Sequence, residues 1–107
     1  MPIYNKLVRD KIPEIIRSSG KDLNCITLGE ESYISELKRK LQEEVEEYTR
    51  AADDTEGVEE LADILEVVYA LALMHKVLPE DVEKVRAKKA EERGGFKDRI
   101  FLIEVTE

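Results

Sequence analysis

Histidine, cysteine and tryptophan are nearly missing from this chain of 107 residues, which has one His, one Cys and no Trp. The single Cys25 excludes an internal disulfide. A buried or inert thiol is the default there, because the lone His75 is the only imidazole that could activate it. The same scarcity disfavours zinc, whose sites draw on several Cys or His ligands. A di-iron carboxylate bundle needs Glu-x-x-His pairs, and the residue three before His75 is Ala72. His75 reads as a helix-end residue. Long apolar runs are also lacking. The N-terminus has no apolar leader core, and no stretch approaches the roughly 18 residues of a membrane span. Residues 61–74 are apolar but short, and they contain Asp63 and Glu66. A cytoplasmic protein with no membrane partner is expected. Excess positive charge is absent too: the net charge of −8 argues against binding a nucleic-acid polymer or an anionic membrane. An acidic protein that handles anionic substrates needs a cation and a local basic patch. Few aromatics and a charged fraction of 39% suit a helical protein interacting through long polar faces. The length corresponds to one domain, 1–107, with a modest core, so oligomerisation is expected.

The pattern along the chain is mostly helical. Pro13 fits a first helical turn with Asp10 as a candidate N-cap, and a short helix at 12–18 ends at Ser18-Ser19-Gly20. Residues 22–28 alternate weakly and favour a strand that stops at Gly29. A long helix follows at 32–52, capped by Ser32 or Ser35. Asp53-Asp54-Thr55-Glu56-Gly57 is a turn signal. The next helix, 56–77, is apolar almost all round from Leu61 onward and reads as the central, most buried one. Pro79 starts a last helix with acids in its first turn and bases later, stopped by Gly94-Gly95. Residues 99–106 have strand propensity and are expected to pair with 22–28 as a small two-stranded β appendage.

The organising stretch is 43–63. Glu44 and Glu47 are three apart, and after twelve residues Glu60 and Asp63 are again three apart. A three-residue step keeps two side chains on one helix face, about 4.5 Å apart along the axis. With the turn centred near Asp54, an antiparallel hairpin brings Glu47 opposite Glu60 and Glu44 opposite Asp63. Acids account for 25 of the 107 residues, so solvated acids on ordinary helices are the competing explanation. Helical phase favours convergence. Glu44 and Glu47 flank the apolar stripe Ile34, Leu37, Leu41, Val45 and Tyr48, whereas Glu43 and Glu46 point toward solvent. Glu60 and Asp63 lie on the face continued by Val67, Leu71 and Met74. Converging carboxylates repel one another unless a cation sits among them, and oxygen ligands alone suit Mg²⁺, with Mn²⁺ also compatible.

Lys89 and Arg93 share a helix face beside Gly94-Gly95 and can hold a polyphosphate, Arg93 by its planar fork and Lys89 as a point charge. A plain helix C-terminus with favourable cations explains the same residues. Lys6 and Arg9 are further phosphate candidates, with surface charge as the alternative.

The arrangement Glu43-Glu44-x-x-Glu47, twelve residues, Glu60-x-x-Asp63 resembles the signature of the MazG-like all-α nucleoside triphosphate pyrophosphatases. The opening YNKLVRDKIPEII and closing RGGFKDRIFL resemble its single-domain, phosphoribosyl-ATP pyrophosphohydrolase-like branch. The resemblance implies a helical bundle of that type and Mg²⁺-dependent cleavage between the α and β phosphates of a nucleotide, giving a monophosphate and pyrophosphate. It implies metal ligands at Glu44, Glu47, Glu60 and Asp63, with catalytic carboxylates at Glu43, Glu44 and Glu47. Substrate phosphates would meet Lys89 and Arg93, then Lys6 and Arg9. A short chain leaves little wall for a base pocket, so a homodimer or homotetramer is expected to complete it. A non-catalytic oligomerisation or nucleotide-sensing module, or a metal-free bundle, are the other classes to be separated by experiment.

Overall fold

The computed structural model describes residues 2–106 and contains four helices: α1 (Ile12–Ser18), α2 (Glu30–Thr49), α3 (Asp54–Met74) and α4 (Pro79–Arg93). The helical hairpin of α2 and α3 is the main packing unit, and α4 touches α3 to a smaller extent. Leu37 on α2 and Val67 on α3 are buried between the long helices, and Ala72 is buried near the end of α3.

Local chemistry sets the helix ends. α2 begins at Glu30 behind Gly29, earlier than a Ser32 or Ser35 cap would place it, and its first turn carries Glu30 and Glu31. Those acids suit the positive end of the helix dipole. The acidic run after α2 is not a free turn. Asp53 caps α3 by accepting from the Glu56 backbone N–H at 2.9 Å, so Asp54 to Gly57 already form its first turn. The connection is therefore Arg50–Asp53, and the hairpin closes two to three residues earlier than the acid run suggests. α4 starts at Pro79, where Asp81 Oδ2 accepts from the Leu78 backbone N–H at 2.8 Å. It stops at Gly94, whose φ of 80° is a conformation that favours glycine.

The expected β appendage is not formed. No strand occurs among the described residues. Residues 22–28 and 99–106 share no backbone hydrogen bond. Residues 99–106 lie exposed and 22–28 mostly so, apart from half-buried Leu23 and Leu28, with Ile26 85% and Phe101 87% accessible. Strand propensity does not by itself bring two segments together, and a lone two-stranded pair is marginal in water. Cys25, expected to be buried or inert, is exposed in the same α1–α2 connection.

The apolar wrap of α3 is also only half used. Its face toward α2 carries Val67, but Val58, Leu61, Leu65, Tyr69 and Leu73 are exposed along the other side. Their spacing of three or four residues makes one continuous stripe. The chain has a radius of gyration of 18.3 Å, against about 13 Å for a compact domain of this length.

Candidate metal-binding and active site

The α2–α3 hairpin brings the carboxylates together. Glu44 lies five residues before the end of α2 and Glu60 six residues after the start of α3, so the two meet across the interface. Ligand oxygens of Glu44, Glu60 and Asp63 lie within 4.8 Å of one another, and so do those of Glu43, Glu44 and Glu47. Glu44 belongs to both groups and is the hub. The expected facing of Glu44 with Asp63 is found in the first of these groups, and Glu47 lies close enough to Glu60 to act on its carboxyl, although the hairpin turns earlier than expected.

Burial within the cluster is graded. Glu44 is 6% exposed, Glu43, Glu60 and Asp63 are half-buried, and Glu47 is exposed. Glu43 does not point away to solvent. It accepts ion pairs from Lys40 at 3.5 Å and Lys6 at 3.7 Å. Oε2 of Glu44 and Oε2 of Glu60 are buried with no hydrogen-bond partner. An unpartnered buried carboxylate oxygen is costly. Burial, then the neighbouring Glu47 charge, raises the Glu44 carboxyl above its ordinary range against the opposing pull of Lys40. Glu60 is pushed up to about 7, first by burial and then by Glu47 and Glu44, with which a proton would be shared.

The site holds cations of its own. Lys40 Nζ lies 3.4 Å from Glu44 as well as 3.5 Å from Glu43. Arg9 Nη2 donates to Asp63 Oδ1 at 2.6 Å. Lys6 and Arg9, of the four basic residues proposed from sequence, are thus brought onto the acids. Lys89 and Arg93, exposed near the end of α4, form no ion pair with them among the described residues. Sequence reasoning missed Lys40. The signal was present, since Lys40 precedes Glu43 by three and Glu44 by four and so shares their face.

These carboxylates fit a hard divalent cation. Every candidate ligand is a carboxylate oxygen, the donor type that Mg²⁺ and Mn²⁺ take. The two orphaned oxygens, from facing helices, have no hydrogen-bond partner, and Lys40 reaches Glu44 through its other oxygen.

Fold and site together define an α-helical hairpin domain with an acidic cage at its helix interface. Residues 25–92, well over half of the chain, match the family model of phosphoribosyl-ATP pyrophosphohydrolase, and the chain belongs to that family, within the MazG-like all-α nucleoside triphosphate pyrophosphatase superfamily. The matched span contains α2, α3 and all five acids of the cluster. A protein of Mycolicibacterium smegmatis (strain ATCC 700084 / mc(2)155), described only as uncharacterized, is 52% identical over 48 residues. That alignment covers 45% of this chain and 48% of the relative, so the match spans about half of that relative's length. No solved structure matches the chain.

Proposed function

We propose that the chain is a Mg²⁺-dependent nucleotide pyrophosphohydrolase, with Mn²⁺ able to substitute. It would cleave between the α and β phosphates of a nucleoside triphosphate or related nucleotide to release a monophosphate and pyrophosphate. The observation that carries this reading is the pair of buried, unpartnered oxygens of Glu44 and Glu60 inside a ring of carboxylates, in a member of a pyrophosphohydrolase family.

Glu44, Glu60 and Asp63 would hold the cation, with Glu47 completing the set from the exposed side. Bound there, the cation would neutralise phosphate charge and help to generate the nucleophile. Glu47 is the carboxylate most open to solvent in the cluster, and in this reading it would orient the attacking water. Glu43 is fixed by Lys6 and Lys40 and positions its neighbours. Lys40, Lys6 and Arg9 supply positive charge beside the cage, while Lys89 and Arg93 are further phosphate contacts.

A homodimer or homotetramer goes with this reading. The exposed stripe of α3 and the large radius of gyration are what a chain that packs against copies of itself would show. An open groove between Tyr48, Asp53, Gly57 and Leu61 offers a base only a partial wall, which a second copy would complete. A cytoplasmic setting is consistent with a chain that forms no internal disulfide. No helix of the described residues is long and apolar enough to cross a membrane.

The test is pyrophosphate release from a panel of common triphosphates, dUTP and phosphoribosyl-ATP in the presence of Mg²⁺. Glu47→Gln and Asp63→Asn are expected to lower turnover by about a hundredfold or more while circular dichroism stays unchanged. Nucleotide binding without turnover would instead identify a sensing module, and unchanged turnover in both variants would discard these site assignments.

A further inference from the structure

Arg9 sits in a segment that the family match, beginning at residue 25, does not include. It nevertheless reaches across 54 positions to one of the cage carboxylates, Asp63, at 2.6 Å. Its backbone is tied down, since the Arg9 carbonyl accepts from the Ile12 N–H at 3.0 Å at the start of α1. Its side chain is half in solvent, 55% exposed against 39% for Asp63. A long side chain on a fixed root, held by an open ion pair, can leave its partner without moving the fold. Lys6 makes a second, looser tie to Glu43 at 3.7 Å. Asn5 just before it has a φ of 43°, and this bends the chain there. Residues 4–9 thus form a basic strap pinned to the cage at two points.

Asp63 is at once the strap's anchor and a member of the Glu44–Glu60–Asp63 group. A guanidinium bound to one of its oxygens competes for that carboxylate with any cation held there and repels it at short range. We propose that Arg9 and a divalent cation exclude each other at Asp63, and that the displaced Arg9 becomes a ligand of the substrate's phosphates. This rests on the metal-dependent function proposed above. The guanidinium suits both roles, because its planar fork matches carboxylate and phosphate alike. The strap is then a positioning element that stays pinned on the cage until metal is bound and afterwards closes over nucleotide.

Calorimetric titration of the full chain with Mn²⁺ alone, and then with a non-hydrolysable α,β-methylene triphosphate in saturating Mn²⁺, tests this. Hydrogen exchange of residues 5–11 is followed in parallel. Arg9→Gln is expected to bind Mn²⁺ about two- to fivefold tighter, the range that loss of an exposed ion pair permits. It should bind the triphosphate analogue about tenfold more weakly. Arg9→Lys, which keeps the charge and loses the fork, should recover part of the analogue affinity. Arg17→Gln removes the same charge from α1 away from the acids and should change neither. In the unaltered chain Mn²⁺ should speed exchange in the strap, and the analogue should slow it. Equal or weaker Mn²⁺ binding by Arg9→Gln overturns the exclusion, and unchanged analogue affinity overturns the phosphate role. Failure of the unaltered chain to bind Mn²⁺ would remove the proposed function and this inference together, whereas binding of equal strength in both chains removes this inference alone.

Discussion

Glu44 on α2 and Glu60 on α3 each bury an Oε2 that accepts no hydrogen bond, and the two carboxylates face one another across the helix interface. Lys40 reaches Glu44 alone of this pair. Glu60 has no ion-pair partner within 4 Å among the described residues. Two facing carboxylates, one buried and one half-buried, set the pH behaviour, the metal response and the weak points of the hairpin.

Stability without divalent cation should fall as pH rises from about 4.5 to about 7. Glu60 has an ordinary value of 4.5 and is pushed up to about 7 in the folded chain. Between these values the folded chain keeps a proton that the unfolded chain has released, so its contribution is most favourable below the window and fully lost above it. Thermal melts of the unaltered chain at pH 5 and pH 8 should show this drop. Glu60→Gln should shrink the difference by roughly half, since it removes the group that titrates. A saturating concentration of Mg²⁺ should shrink it as well.

Replacing Glu44 should move stability and metal binding in opposite directions. Glu44→Gln removes a buried charge with an orphaned oxygen, so melting without metal should be unchanged or higher. It also removes the carboxylate common to both acidic groups. Calorimetry should then show Mn²⁺ affinity lower by about a hundredfold. A parallel loss of both quantities would mean that Glu44 is chiefly a packing residue.

Lys40 should matter more than its place on a surface-facing helix suggests. Its side chain is only 20% exposed and serves Glu43 and Glu44 together. Lys40→Met keeps the apolar stem and leaves the acids without that cation. The cost should be about 1–3 kcal/mol in urea unfolding at pH 8, and less at pH 5, where Glu44, raised above its ordinary range, holds more of its proton. Added Mg²⁺ should restore much of the loss.

The outer stripe of α3 should hold copies of the chain together. Leu65→Lys puts a charge in the middle of the line from Val58 to Leu73. Sedimentation should show the unaltered chain as a dimer or tetramer, and the variant as a monomer or a far weaker oligomer. A monomeric unaltered chain at tens of micromolar would refute the self-association.

Much of this was readable from residue order. Helical periodicity places α2, α3 and α4, and the glycine after Arg93 marks the stop at Gly94. The spacing of Glu44, Glu47, Glu60 and Asp63 anticipates acids meeting at a helix interface; Glu44, Glu60 and Asp63 group there, and Glu47 groups with Glu43 and Glu44. The position of the turn was not readable, because the same acids that suggest a turn at 53–57 also make a good helix start once Asp53 caps Glu56. Nor was the fate of 22–28 and 99–106. Their β propensity is real, but strand formation needs a partner in space, which local sequence does not specify. The contact of Arg9 with Asp63 joins residues 54 positions apart, and no periodic pattern encodes such a distance.

The solitary thiol at Cys25 is exposed, on the connection between the strap-bearing α1 and the cage-bearing α2. One fluorophore or spin probe attached there would report from a single known point without any engineered cysteine. Opening and closing of residues 4–9 could then be timed directly in the unmutated protein.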